Sequence, residues 1–133
     1  MEQHKILREI MRNLERKMGM LDEFQVDCQN ITCAQCHALV EIGRAKTLSL
    51  IHLSVILELD ASTVSRTVER LVKAHLVNRN TDQSNRRYVT ISLTAEGEKV
   101  FHEIETTMDS LHKRILQNIP KEKQAMVIDS IQI

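Results

Sequence analysis

Residues Leu50–Leu76 read LIHLSVILELDASTVSRTVERLVKAHL. Two helix-forming stretches flank a break. In the first, Leu50, Leu53, Ile56 and Leu57 recur at helical spacing, which predicts a short helix. Glu58-Leu59-Asp60 then reads as a tight turn, with Asp60 in position to cap the next helix. From 61 to about 74 the stripe Val64, Val68, Leu71 and Val72 predicts a longer helix with one buried side. That stripe turns Ser62, Thr63, Ser65, Arg66, Glu69, Arg70 and Lys73 outward. The outer face is suited to the major groove of duplex DNA. Small hydroxyl residues let the backbone approach, and Arg66 or Arg70 can reach a guanine edge or a phosphate with two hydrogen bonds.

Beyond Leu76 the period changes from helical to two. Val77, Arg79 and Thr81 form one alternating run, and Val89, Ile91 and Leu93 alternate with Tyr88, Thr90 and Ser92 in a second. Asp82-Gln83-Ser84-Asn85 supplies turn residues between them. The resulting hairpin puts Arg86 and Arg87 at or near its tip, where a guanidinium can enter a narrow minor groove. Over residues 60–90, Arg66, Arg70, Lys73, Arg79, Arg86 and Arg87 stand against Asp60, Glu69 and Asp82, a local charge of +3 in a chain whose net charge is +0. A neutral sum argues against indiscriminate coating of nucleic acid, and the local excess argues for one binding face. Aromatics are too few (Phe24, Tyr88 and Phe101) for the stacking platforms that hold single strands.

Outward from this centre the chain is helical. Ile6, Leu7, Ile10, Met11, Leu14, Met18 and Leu21 predict a first helix from about 3 to 20. Thr32 is placed to cap a second helix carrying Cys36, Leu39, Val40 and Ile42, which Gly43 is expected to end. Thr94 opens a long helix with the stripe Val100, Phe101, Ile104, Met108, Leu111, Ile115 and Leu116. Pro120 breaks it and starts a last short helix. The fold class is therefore mostly α with a small β-hairpin wing, and 133 residues fit a single domain, 1–133.

With 42% apolar and 27% charged residues the chain has the composition of a folded globular protein. No apolar run approaches the roughly 18 residues of a membrane span, so a cytoplasmic protein without membrane attachment is expected. The chain is not expected to be an enzyme. It has no phosphate-cradling glycine loop, no HExxH and no GxSxG, and its three glycines lie at 19, 43 and 97.

Leu50–Leu76 with the following Val77-Asn78-Arg79-Asn80, together with Asp82–Gly97 (DQSNRRYVTISLTAEG), resembles the winged helix-turn-helix of the MarR family of transcription regulators. The resemblance covers about residues 30–117 well and the terminal helices by pattern alone. It implies a winged helix-turn-helix over about 32–97, with dimerisation helices at about 1–20 and 98–133. It also implies a homodimer on duplex DNA with a palindromic operator, and repression relieved by a signal. Ser62, Thr63, Ser65, Arg66, Arg70, Lys73, Arg86 and Arg87 are then the expected DNA contacts. Two positions depart from the family pattern. Asn85 stands where an Asp commonly fixes the wing arginine, and His75 stands where a Gly commonly ends the recognition helix. The last helix is also shorter than the resemblance leads one to expect, which points to a truncated dimer clamp.

Cys28, Cys33 and Cys36 fall within nine residues, with His37 beside them. Three thiolates so spaced can hold a soft metal or a metalloid such as arsenite, or zinc with a fourth ligand, and two can oxidise to a disulfide. They are equally read as small apolar residues, Cys33 and Cys36 buried and Cys28 an idle loop thiol. A signal bound in an apolar pocket between the dimer helices and the reading head competes with the cysteines. The rival to DNA binding is a winged-helix protein-interaction or metal-binding module that does not read DNA.

Overall fold

The computed structural model describes residues 2–23, 31–81, Ser84 and 88–132. The elements run α1 (Gln3–Glu23), α2 (Cys33–Ala45), β1 (Thr47–Ser49), α3 (Leu50–Leu57), α4 (Ala61–Lys73), β2 (Val77–Thr81), β3 (Val89–Leu93), α5 (Ala95–Gln117) and α6 (Lys121–Ile131). They fall into two compact units, Met1–Asn30 and Ile31–Ile133.

The first unit is α1, which runs to Glu23, beyond the predicted 20. Its stripe of Ile6, Leu7, Ile10, Met11 and Leu14 is solvent-exposed along its length. That is an apolar face of the kind that helices bury against another surface.

In the second unit, four helices begin at a side-chain cap that accepts an otherwise orphaned backbone N–H. Thr32 starts α2 in a reciprocal box with Gln35. Ser49 accepts from His52, Asp60 from Thr63 and Thr94 from Gly97. Besides Lys46 (φ 70) after α2, two turns use left-handed backbone at non-glycine residues, Glu58 (φ 53) after α3 and His75 (φ 60) after α4. At the second, His75 N–H donates to Val72 O and Leu76 N–H to Leu71 O, both at 3.0 Å, the double bond of a Schellman motif. His75 therefore adopts the conformation for which glycine would be the usual choice.

The sheet is antiparallel in the order β1-β3-β2. Strand β1 is absent from the sequence reading, because three residues are too short to show a period. It pairs Leu48 with Ile91, while Val77 and Arg79 of β2 face Leu93 and Ile91 across the other edge. The core is one cluster of Ala38, Leu39 and Ile42 (α2), Leu53 (α3), Val64, Val68 and Leu71 (α4), Leu76, Ile91, and Val100, Phe101 and Ile104 (α5). Val72, placed in the buried stripe by its spacing, is only half-buried, and Thr67 takes the buried position instead. Its hydroxyl donates to Thr63 O at 3.0 Å, which satisfies it inside the helix.

Gly43 does not end α2. The helix continues to Ala45 and Gly43 is buried inside it, because a Cβ there would stand 2.6 Å from Phe101 Cδ2. The glycine is a packing gap for the α5 aromatic. Gly97 allows a tighter approach, since a Cβ at that position would lie 1.9 Å from Leu76 O.

Gly43→Ala is expected to destabilise the protein by about 1–3 kcal/mol through overpacking. In a Phe101→Leu background the same change should cost less, as packed neighbours are not additive. Urea unfolding of the four proteins in that cycle checks this, and equal costs in both backgrounds would show that the ring is not the obstacle.

Candidate nucleic-acid interface

Helix α4 buries Val64, Thr67, Val68 and Leu71 and leaves Ser62, Arg66, Glu69, Arg70 and Lys73 exposed. Thr63 and Ser65 are half-buried, so these two expected contacts lie at the edge of the face. Ser62, Arg66 and Arg70 follow one another at four-residue steps and form a single ridge. Lys73 Nζ lies 3.6 Å from Glu69 Oε1 one turn away. Among the described residues, no ion pair engages Arg66 or Arg70.

The start of this helix is organised around Asp60. Its carboxylate accepts from the Ser62 hydroxyl, from the Thr63 hydroxyl at 2.6 Å and from the Thr63 backbone N–H at 3.0 Å. These donors, the Ser62 hydroxyl first, hold the Asp60 carboxyl far below the usual carboxylate range. Both hydroxyl protons are committed to Asp60, so Ser62 and Thr63 present lone pairs outward and act as acceptors. This organisation could be read from sequence only as far as the Asp60 cap itself.

The wing leaves the core from the C-terminal end of α4. Asn78, Arg79, Asn80 and Thr81 of β2 are all exposed, as is Tyr88 at the start of the return strand. Arg79 is absent from the expected contacts, yet it projects from the same sheet face as Val77, and β2 packs beside α4. Its alternation with Val77 was the available signal. The turn residues Asn85, Arg86 and Arg87 lie outside the described residues, as does Cys28. Cys33 is exposed at the first position of α2 and Cys36 is half-buried one turn on, so Cys33 is not the buried apolar residue of one sequence reading. Among the described residues, no three His, Cys, Asp or Glu side chains gather as a metal site.

Arg44 Nη2 reaches Glu105 Oε1 at 3.1 Å and ties α2 to α5. Beside this pair a groove of about 650 Å³ is lined by Asp109, His112 and Lys113 among others. Its lining is charged, unlike the apolar pocket considered from sequence. No helix among the described residues is long and apolar enough to cross a membrane.

Residues 31–89, from the start of α2 to the return strand of the wing, match the family model described as the MarR family. The match covers the winged helix-turn-helix segment and not the terminal helices. The chain is 26% identical over 95 residues to the HTH-type transcriptional repressor MdtR of Bacillus subtilis (strain 168), a match covering 71% of this chain and 61% of that protein. It is 30% identical over 89 residues to the uncharacterized HTH-type transcriptional regulator YhbI of the same strain, covering 67% of this chain and 58% of that protein. The chain thus spans about three-fifths of the length of these two relatives.

Among solved structures, Streptococcus pneumoniae FabT in complex with DNA superposes with a TM-score of 0.87 at 17% identity, over 97% of this chain and 92% of that one. A mutant MarR from E. coli gives 0.74 at 21% identity, over 99% and 95%. These likenesses establish the winged helix-turn-helix fold. In this fold α3 and α4 are the helix-turn-helix and β2–β3 the wing.

Because the folded-state Asp60 carboxyl is held below its ordinary value, the stability it contributes is fully present above the ordinary carboxylate range. That contribution fades as pH falls through that range and below it. Asp60→Asn keeps a good cap and is expected to unfold with a weaker acid dependence than the parent, whereas Asp60→Ala should lower the thermal midpoint at neutral pH. Melting curves at pH 7 and pH 3 for the three proteins check the sign.

Proposed function

We propose that this protein is a sequence-specific DNA-binding transcription regulator and not an enzyme. The observation that carries the reading is the ridge of Ser62, Arg66 and Arg70 on α4, exposed and without an acidic partner among the described residues. In this reading α4 enters the major groove with Arg66 and Arg70 at guanine edges or phosphates. Ser62, its proton given to Asp60, accepts from a base amino group such as adenine N6 or cytosine N4. Lys73 and Arg79 face the phosphate backbone, and Arg86 and Arg87 enter the adjacent minor groove from the wing tip.

The protein acts as a homodimer. Its apolar faces on α1, and Ile115, Met126, Ile128 and Ile131 on α5 and α6, are exposed in the single chain and supply what a second copy would cover. Two reading heads then address a palindromic operator with half-sites about 34–36 Å apart. The name of the relative MdtR, a repressor, and the DNA-bound state of FabT support repression by occupancy of DNA. Relief by a signal and a cytoplasmic location complete the reading.

A second reading, a winged-helix interaction module that does not read DNA, is favoured by one observation. Ile51 and Val55 on α3 are 69% and 66% exposed, an apolar pair where a DNA-flanking helix would be expected to be polar.

Selection from random duplexes at two salt concentrations separates the two. The regulator enriches a palindrome and loses affinity as salt rises. Arg66→Ala with Arg87→Ala costs about 1–3 kcal/mol per base contact and relaxes specificity, while Lys73→Ala weakens all sequences alike and lowers the salt slope by about 1. If no sequence is enriched and the double variant matches the parent, the DNA reading falls and the interaction module stands.

A further inference from the structure

We propose that Cys33 and Cys36 form a dithiol site for a soft, thiophilic trivalent ion of the arsenite type, and that α2 passes its occupancy to the reading helix. The two cysteines occupy the first turn of α2 at positions i and i+3, a spacing that puts their Cβ atoms about 5–6 Å apart on one face. Thr32 and Gln35 lock that turn through the reciprocal cap, and Cys36 N–H donates to Thr32 O at 2.9 Å, so the pair is held by backbone that is already formed. Cys33 is exposed, which leaves the site open to solvent.

The ligand class is set by the surroundings of the pair. Zinc in a structural site takes four ligands, and among the described residues no third His, Cys, Asp or Glu joins these two. A trivalent metalloid is satisfied by fewer, softer ligands. Arsenous acid condenses with two thiols by breaking two S–H and two As–OH bonds, forming two S–As bonds and releasing two waters, with no change of oxidation state. The path to DNA is short. Ala38, Leu39 and Ile42 of α2 are wholly buried, and α2 packs on α4. A shift of the first turn is therefore felt one to two turns on, where α2 supports the reading helix. This coupling rests on the proposed DNA-binding role, whereas the site itself does not.

The test titrates sodium arsenite into the full chain and into Cys33→Ser and Cys36→Ser variants. Native mass spectrometry counts bound arsenic and protons lost, circular dichroism confirms that each variant is folded, and duplex affinity is measured in parallel on the selected sequence. One arsenic per chain is expected, weakened about 100-fold by either Cys33→Ser or Cys36→Ser, the scale on which losing a linked second ligand acts. Duplex affinity should fall at least tenfold on arsenite addition in the parent and stay constant in those two variants. No arsenic uptake, uptake indifferent to both substitutions, or preferential uptake of zinc from an equimolar mixture would overturn the site. Uptake without change in duplex affinity would overturn the coupling. A parent that binds no duplex even without arsenite fails the DNA reading instead, and the arsenic count still decides the site.

Discussion

The carbonyl ends of α4 are where this fold is held together. His75 turns the chain through left-handed backbone, and Leu76, wholly buried, then offers its carbonyl oxygen to Thr94 N–H at 3.0 Å. The Thr94 hydroxyl donates to His75 O at 2.7 Å and accepts from Gly97 N–H at 2.9 Å, so one side chain both stops α4 and starts α5. Only a residue without a Cβ fits at 97, because α5 begins against the Leu76 carbonyl. Helix α4, strand β2 and the long helix α5 thus share a single junction. The angle between α4 and the wing is set there by hydrogen bonds and close packing.

A second seam joins α2 to α5. Gly43 leaves room for the Phe101 ring, and Arg44 reaches Glu105 one position further along α2. The exposed ion pair adds little by itself. The ring against the glycine is the stronger constraint, since a well-packed interior resists even one added carbon. Because α2 also packs on α4, it touches both α4 and the long helix α5. Motion of α5 relative to the core has a direct mechanical path through α2 to α4.

The parts of this arrangement legible in the sequence are those governed by local rules. Asp60, Thr32 and Thr94 act as caps where their residue types and the adjoining stripes place them, and the change from helical to twofold period at Leu76 marks the wing. Positions decided by tertiary contact read differently. Gly43 carries the local signature of a helix end and instead answers to an aromatic ring 58 positions away. Strand β1 exists because Leu48 pairs with Ile91, a relation with no local trace. Of the candidate site, the cationic ridge was legible from spacing. The commitment of the Ser62 and Thr63 hydroxyls to Asp60 was not, because it depends on the geometry of the capped turn. Arg79 was legible as part of the local positive charge but not as an exposed contact, because its exposure depends on how β2 sits against the core.

The charge pattern shows how a chain of net charge +0 can present a cationic surface. Away from α4 and the wing, many basic side chains have an acid within reach. Lys5 pairs with Glu2, Arg12 with Glu9, Arg44 with Glu41 and Glu105, Lys46 with Glu98 and Lys113 with Asp109. Most of these are one turn apart on a helix, so their fields cancel within a few ångströms, and at physiological salt little survives beyond about 8 Å. On α4 the pattern differs. Only Lys73 has such a partner, in Glu69, while Asp60 is enclosed by three donors from its own turn. Arg66, Arg70 and Arg79 engage no acid among the described residues, and their charge is left to act outward. A polyanion therefore meets a locally positive face on a neutral molecule, which favours one orientation of approach over non-specific adhesion.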